Sequence, residues 1–241
     1  MIRVFRSEFL KIRKSSIWLL IFVSPILSTL VGIAETSIDG VPQWLGSLMM
    51  MAMLHAMLFL PLLTGVFSAF VCRYEHIGGG WKQLLSMPVS RNSIFIVKFL
   101  TVMGLLVLTQ ILFLIGLLVV GQVKGYTEPI PWQELSTAIL GGWIACMPLA
   151  ALQIFVSIAW SSFAAPLAIN VIFTIPNMLV ANSEKFGPFY PWAQPVLMMV
   201  PHSGESFGAF NVTADTLFFV ILGSFVVFFA SGFTYFNRKE V

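Results

Sequence analysis

Few residues of this 241-residue chain could do chemistry. The segment "GGGWKQ" at residues 78–83 looks superficially like a phosphate-binding loop, but Gln83 stands where such a loop needs Ser or Thr for magnesium. His55 is the one titratable side chain deep inside a predicted apolar run, where it could carry a proton or bond a neighbouring helix. The sequence also holds no H-E-x-x-H metalloprotease motif. We therefore predict no catalytic site, no metal site and no cofactor bound by this chain.

The remaining polar side chains favour structural roles. Cys72 and Cys146 are predicted to lie too far apart to form a disulfide, and two cysteines disfavour a structural zinc site. Every Asp and Glu is predicted to fall in a loop or tail. Gln110, Gln153 and Asn170 fall inside predicted helices, cannot carry protons, and are typical of side chains that hold helices together.

The elements that position these residues are predicted from the apolar runs. Hydrophobic residues make up 58% of the chain and charged residues 10%, with a mean hydropathy of +0.93, whereas a soluble chain carries about 25% charge. We therefore predict one all-α membrane domain over residues 1–241. Six runs approach the roughly 20 residues that a transmembrane helix needs. The predicted spans are 17–34, 48–71, 94–120, 135–159, 164–181 and 217–236.

The basic residues predict the orientation of these spans. Eleven of the 13 Lys and Arg residues lie before residue 15, between 72 and 98, or after 237, and only Lys124 and Lys185 lie elsewhere. Positive residues concentrate on the cytoplasmic side of membrane proteins. Both termini and the segment 72–93 are therefore predicted to be cytoplasmic, with Lys98 snorkelling to the membrane surface. Because the positive residues flank apolar runs, the net charge of +3 favours a membrane rather than nucleic acid as the partner.

Residues 1–16 are predicted to form an amphipathic helix in the membrane interface. Ile2, Phe5, Phe9 and Ile12 fall on one face at helical spacing. A plain positive anchor without a defined face explains the same basic residues.

The segment "CRYEHIGGGWKQLLSMPVSRNSIFIVK" at residues 72–98 predicts a second short helix, over about 77–87, across the cytoplasmic face. Trp81, Leu84 and Leu85 fall on one side of it, and Pro88 would end it. Glu75 is predicted to stand before its first turn, where negative charge is favoured. Ser90 would cap the helix that follows.

These residues resemble the type-2 ABC transporter permeases. In that family an acidic residue opens the first cytoplasmic loop, and a short helix leads into the third span and a lysine. The matching residues here are Glu75, "WKQLLSMPVSR" and Lys98, and the start "FRSEFLKIRKSSIWLL" is similar to the family's beginning. The short chain and small loops look most like the lantibiotic-immunity and bacitracin-resistance branch.

The resemblance implies a function as well as a fold. A separate ABC ATPase subunit, present in two copies and carrying ATP and Mg²⁺, would bind the predicted short helix over about 77–87, which corresponds to the family's coupling helix. Trp81, Lys82, Leu84 and Leu85 would contact the ATPase, and Glu75 would orient the loop. A second permease, identical or related, would complete the pathway in the bacterial plasma membrane. The cargo would be a peptide antibiotic, expelled for self-protection or resistance. For Trp81 and Leu84, anchoring at the membrane interface is the alternative.

The outer segment at residues 182–216 is long for a loop, which is typical of functional loops. Its run "PVLMMVP" is too short to span, and the resemblance implies re-entrant helices there. Phe186, Phe189, Tyr190 and Trp192 would gate or contact cargo, or else form an aromatic belt at the interface.

Two other functions stay open at this stage. A non-transport membrane protein, such as an assembly factor or sensor, could use residues 72–93 to bind a different cytosolic partner. An ion-coupled carrier would depend on His55.

Overall fold

The computed structural model describes residues 2–13, 15–36, 40–77, 80–86, 88–201 and 208–239. Parts of three predicted segments lie outside these residues. They are residues 1 and 14 and the side chains of residues 2 and 3 in the first helix, residues 78, 79 and 87 in the cytoplasmic segment 72–93, and residues 202–207 in the outer segment. The described residues form helices joined by turns, with no strand among them. In chain order the helices are α1 (Ile2–Arg13), α2 (Ile17–Ala34), α3 (Gln43–Leu54), α4 (Leu60–His76), α5 (Gly80–Ser86), α6 (Arg91–Lys124), α7 (Trp132–Ala159), α8 (Ala164–Thr174), α9 (Asn177–Ala181), α10 (Gln194–Met199) and α11 (Ala214–Arg238).

Five helical stretches within the described part of the chain are long and apolar enough to cross a membrane. Each contains one predicted span. They are α2, the continuous stretch Gln43–His76 that joins α3 to α4, α6, α7 and α11. The protein is therefore an all-α, multi-pass membrane protein.

The predicted span at 164–181 is not one helix. It is divided into α8 and α9 at Pro176, because proline lacks an N–H and its ring clashes with the preceding turn. The 11 residues of α8 extend only about 17 Å at the α-helical rise, whereas the hydrocarbon core is about 30 Å thick. The predicted fifth span is therefore divided into two helices in the structure, and its crossing of the membrane stays a prediction.

A π-helical turn at His55–Phe59 connects α3 to α4. Pro61 has no N–H to donate to the carbonyl of Met57, four residues earlier. Asn177 of α9 donates to that carbonyl instead, at 2.7 Å. The π-helical turn therefore binds α9, the second helix of the divided segment, to the bundle.

Helix α7 lies at the centre of the bundle and packs against α4, α6, α10 and α11, while α2 packs along α6. Small residues permit the close approach of α10, since a Cβ atom at Gly141 or Gly142 would collide with Met198 or Met199. This contact holds part of the outer segment against the core.

The bundle has two ends. We call the end that holds α1, α5 and the last residues of α11 the terminal face; α4 and α7 also end there, and α6 begins there. The opposite face holds the end of α6 and the beginning of α3, where Trp44 Nε1 donates to the carbonyl of Glu128 at 3.1 Å.

Helix α1 has two distinct sides. Phe5 and Phe9 of the predicted apolar face are 47% and 43% exposed, whereas Ile12 is buried. A second side, which the sequence did not predict, buries Val4 and Glu8. This side faces the protein, because α1 packs against α6.

Candidate functional site

Four ionisable side chains from three helices form one ion cluster at the terminal face: Glu8 and Lys11 of α1, Glu75 of α4 and Lys98 of α6. All of them except Lys11 are buried. Lys98 Nζ lies 3.1 Å from Glu8 Oε2 and 2.9 Å from Glu75 Oε2. Lys11 Nζ lies 2.7 Å from Glu8 Oε1 and 2.6 Å from Glu75 Oε1. Each carboxylate thus meets both ammonium groups, and the four formal charges cancel.

Lys98 is completely enclosed, with a relative exposure of 0%, and its ammonium also donates to the carbonyl of Val71 at 2.7 Å. The prediction that Lys98 snorkels to the membrane surface was therefore wrong. Two carboxylates and one carbonyl replace its hydration shell. Removing one partner from such a buried pair leaves a charge without compensation, which costs about 3–5 kcal/mol.

The prediction that every carboxylate lies in a loop or tail was also wrong. Glu8 lies within α1, and Glu75 lies in the last turn of α4 rather than ahead of the next helix. Negative charge is unfavourable at the C-terminal end of a helix. Lys11 and Lys98 supply the positive charge that permits Glu75 to stand there.

Trp81 of α5 lies over the ion cluster. Its side chain is buried, and its ring centre lies 5.7 Å from Lys98 Nζ and 5.3 Å from the ring of Phe236. The indole Nε1 donates to His76 Nδ1 at 3.3 Å. Trp81 therefore joins α5 to α4, α6 and α11 from the inner side of the short helix.

On the outer side of α5, Lys82 of the predicted site is exposed. Leu84 and Leu85 fall on the same side of the helix as Trp81 and are half-buried against the core. The helix begins at Gly80, where a Cβ atom would collide with the backbone of Tyr74 and Glu75. A glycine is therefore required for α5 to fold back this closely on α4.

The next helix begins with the predicted cap. The Ser90 hydroxyl accepts a hydrogen bond from the Ser93 N–H at 3.3 Å, which satisfies one free donor in the first turn of α6.

Two cations, Arg91 and Lys239, bind backbone carbonyls at the terminal face. Arg91 donates to the carbonyls of Phe236 at 3.0 Å and Lys239 at 2.6 Å, and Lys239 Nζ donates to the carbonyl of Ile158 at 2.6 Å. These contacts satisfy carbonyls at the ends of α11 and α7. Partial burial lowers the pKa of the Lys239 ammonium.

The four aromatic residues predicted in the outer segment fall into two pairs. Trp192 is buried, stacks on Phe173 with ring centres 5.0 Å apart, and lies 5.2 Å from the ring of Tyr190. Its indole N–H donates to Asn170 Oδ1 at 2.9 Å. Phe186 and Phe189 are instead exposed. One pair therefore packs into the protein while the other faces outward.

The polar residues inside the bundle join helices, as the sequence predicted. His55 is completely buried, with Nδ1 2.6 Å from Ser24 Oγ and Nε2 3.0 Å from Gln110 Oε1. Gln153 Nε2 donates to Asn170 Oδ1 at 3.1 Å. His55 thus connects α2 to α6, and the Gln153–Asn170 pair connects α7 to α8.

Among the described residues, no three His, Cys, Asp or Glu side chains converge on a metal site. The sequence "GESFG" at 204–208 matches a serine-hydrolase motif. Residues 204–207 of this match lie outside the described part of the chain.

Glu8 and Lys11 are members of the candidate site that the sequence did not indicate. Both occur in the N-terminal stretch that resembles the permeases, and their spacing places them on one side of a helix. Their partners stand 90 and 64 residues further along the chain. Only the packing of α1 against α4 and α6 brings the two patches of resemblance into one site.

Comparison with known proteins finds similarity over the part of the chain that contains this site. The chain is 22% identical over 182 residues to the bacitracin transport permease protein BCRB of Bacillus licheniformis, and the alignment covers 74% of this chain and 84% of that protein. Residues 4–177 match the family described as ABC-2 family transporter protein. The matched region contains the whole ion cluster and α5. Because it covers well over half of the sequence, the chain belongs to the ABC-2 family of transporter membrane proteins.

Proposed function

We propose that this chain is the permease subunit of an ATP-driven exporter that expels a peptide antibiotic and so protects the cell. Membership of the ABC-2 family supports a transporter subunit that works with an ABC ATPase in a membrane. The similarity to a bacitracin transport permease supports the antibiotic class of cargo. ATP and Mg²⁺ are held by the ATPase, and this chain carries no catalytic residue.

The observation that carries the proposal is the placement of α5 over an ion cluster shared by three helices. Lys82 and the exposed parts of Leu84 and Leu85 provide the surface that the ATPase contacts. Glu75 and Trp81 act from behind this surface, because both are buried at 3% and 6% exposure. A push on α5 is therefore passed by Trp81 to Lys98 and from there to the ion pairs that connect α1, α4 and α6.

The complete transporter contains two ATPase subunits and a second permease, identical or related to this one. Both termini lie in the cytoplasm, since the terminal face carries most of the lysine and arginine residues. The opposite face then meets the outside of the cell. There, exposed Phe186 and Phe189 are available to cargo, while Trp192 packs against Phe173 of α8.

Antibiotic protection tests this proposal. Cells that produce the chain with its ATPase should tolerate more bacitracin than cells that produce either protein alone. Lys82→Glu should remove this protection by placing a negative charge on the ATPase contact surface. Arg13→Glu, the same reversal at an exposed position of α1, should retain it. Membrane levels of each variant are compared by immunoblot. Equal tolerance with and without the ATPase, across a panel of membrane-active peptides, would contradict the proposal.

A further inference from the structure

A small cavity opens at the terminal face, beside α5 but separate from the ion cluster. It has a volume of about 120 Å³ and lies between the end of α4, the end of α7 and the beginning of α8. A water molecule occupies about 30 Å³ in the liquid, so the cavity has room for a group about the size of phosphate. Its polar lining comes from Arg73, His76, Ser157, Ser161 and Ser162.

Arg73 brings an uncompensated positive charge to this cavity. Its guanidinium lies beside a pair of contacting aromatic rings, 5.9 Å from the centre of Phe70 and 5.4 Å from the centre of Phe163. Within the described chain, no carboxylate lies within 4.0 Å of this guanidinium. The fork of N–H donors of Arg73 therefore stays available to an anion.

Ser157 supplies a second, independent indication of a ligand. Its side chain is only 2% exposed, and its hydroxyl finds no hydrogen-bond partner among the described residues. A buried hydroxyl without a partner is costly, and this one belongs to a residue that lines the cavity. A ligand oxygen would satisfy it.

The turn between α7 and α8 adds two more hydroxyl groups. Ser162 Oγ accepts a hydrogen bond from the Ala164 N–H at 3.2 Å, so its own proton can be donated elsewhere. Ser161 and Ser162 are both exposed at the cavity. The cavity therefore offers one guanidinium and three hydroxyl donors, the set of groups that binds phosphate oxygens.

His76 forms the wall towards α5 and is already engaged. Its Nε2 donates to the carbonyl of Ser157 at 2.7 Å, and its Nδ1 accepts from Trp81 at 3.3 Å. The neighbouring carboxylate of Glu75 is held by Lys11 and Lys98 in the ion cluster. No described carboxylate lines the cavity to repel an anion.

We propose that this cavity binds an anionic phosphate group, with the headgroup of an anionic phospholipid and a soluble phosphate as its two sources. The phosphate would accept from Arg73 and from the hydroxyl of Ser157. Ala69, Phe163 and Pro166 form an apolar side of the same cavity, along which a lipid tail could leave. Since His76 connects the cavity to Trp81, the ligand would brace α5 from the side of α7 and α8. This site is independent of the cargo proposed above.

Thermal unfolding of the purified full-length chain in detergent micelles tests the site. Micelles contain phosphatidylglycerol or phosphatidylcholine at equal mole fraction, and a third sample receives inorganic phosphate without added lipid. Phosphatidylglycerol should raise the melting temperature, and phosphatidylcholine should not. Arg73→Gln should weaken the apparent affinity for phosphatidylglycerol about tenfold or more, since a hydrogen bond to a charged group is lost.

Two further variants separate the site from general charge effects. Ser157→Ala should weaken the same affinity without changing the net charge. Arg13→Gln, which removes one exposed cation from α1, should bind as the natural chain does. The site assignment is wrong if Arg73→Gln and Arg13→Gln behave alike, or if both lipids stabilise the natural chain equally. If inorganic phosphate alone gives the full, Arg73-dependent shift, the site stands and the lipid is excluded as its source.

Discussion

The ammonium of Lys98 lies where water cannot reach it, and its partners come from α1 and α4. The sequence contains every member of this cluster, yet it predicted a lysine at the membrane surface. Glu8 and Lys98 stand 90 residues apart, and no local pattern indicates which distant charges will meet. The sequence therefore identifies the charged residues here, but it does not predict which of them pair.

At the residue scale, we predict that Lys98→Met destabilises the protein by about 3–5 kcal/mol, because two buried carboxylates would then share only Lys11. Cys72 and Cys146 are both buried and free, so a thiol-reactive fluorophore reports unfolding without further substitution. Combining Lys98→Met with Glu75→Gln restores the charge balance and should recover part of the loss.

Lys82→Met is the matched control, since Lys82 is exposed and has no ion-pair partner among the described residues. We expect it to change stability by no more than about 0.5 kcal/mol. Equal melting temperatures for Lys98→Met and Lys82→Met would show that the cluster does not stabilise the fold.

At the scale of helices, the apolar runs predicted all five membrane-length helical stretches of the described chain. Such a prediction succeeds because a span is recognised from its local composition and length. The divided segment at α8 and α9 was missed, although Pro176 gave a signal for it. The π-helical turn was not predicted, since its stability depends on Asn177 reaching the Met57 carbonyl from a distant part of the chain. Tertiary contacts decide such irregular helices.

Gly65 tests the contact between α4 and α8. A Cβ atom there would overlap the amide of Asn170, which also donates to the Pro61 carbonyl at 3.0 Å. We expect Gly65→Ala to destabilise the protein by about 1–3 kcal/mol, measured by the same thiol assay.

Gly104→Ala provides the comparison. A Cβ atom at Gly104 meets nothing within 4 Å, so this substitution in the middle of α6 should be neutral or stabilise by up to about 1 kcal/mol. Equal melting temperatures for Gly65→Ala and Gly104→Ala would disprove the close packing of α8 on α4.

At the scale of the whole molecule, the charge distribution predicts that the terminal face is cytoplasmic. Because both natural cysteines are buried, a cysteine introduced at an exposed position becomes the one readily labelled thiol. Lys185→Cys on the outer segment should react with a membrane-impermeant maleimide in intact cells. Lys82→Cys should react only after permeabilisation, and the natural chain should stay unlabelled. Labelling of Lys82→Cys in intact cells would show that the terminal face lies outside the cell, the reverse of the predicted orientation.

The central claim is that an ABC ATPase contacts the outer side of α5 and acts through the ion cluster behind it. Its most direct test is a photo-crosslinking amino acid placed at position 82, with position 185 as the matched control, in cells that produce the ATPase. We predict a covalent adduct with the ATPase from position 82 and none from position 185. Absence of the adduct at position 82, with both proteins present in the membrane, would contradict this account.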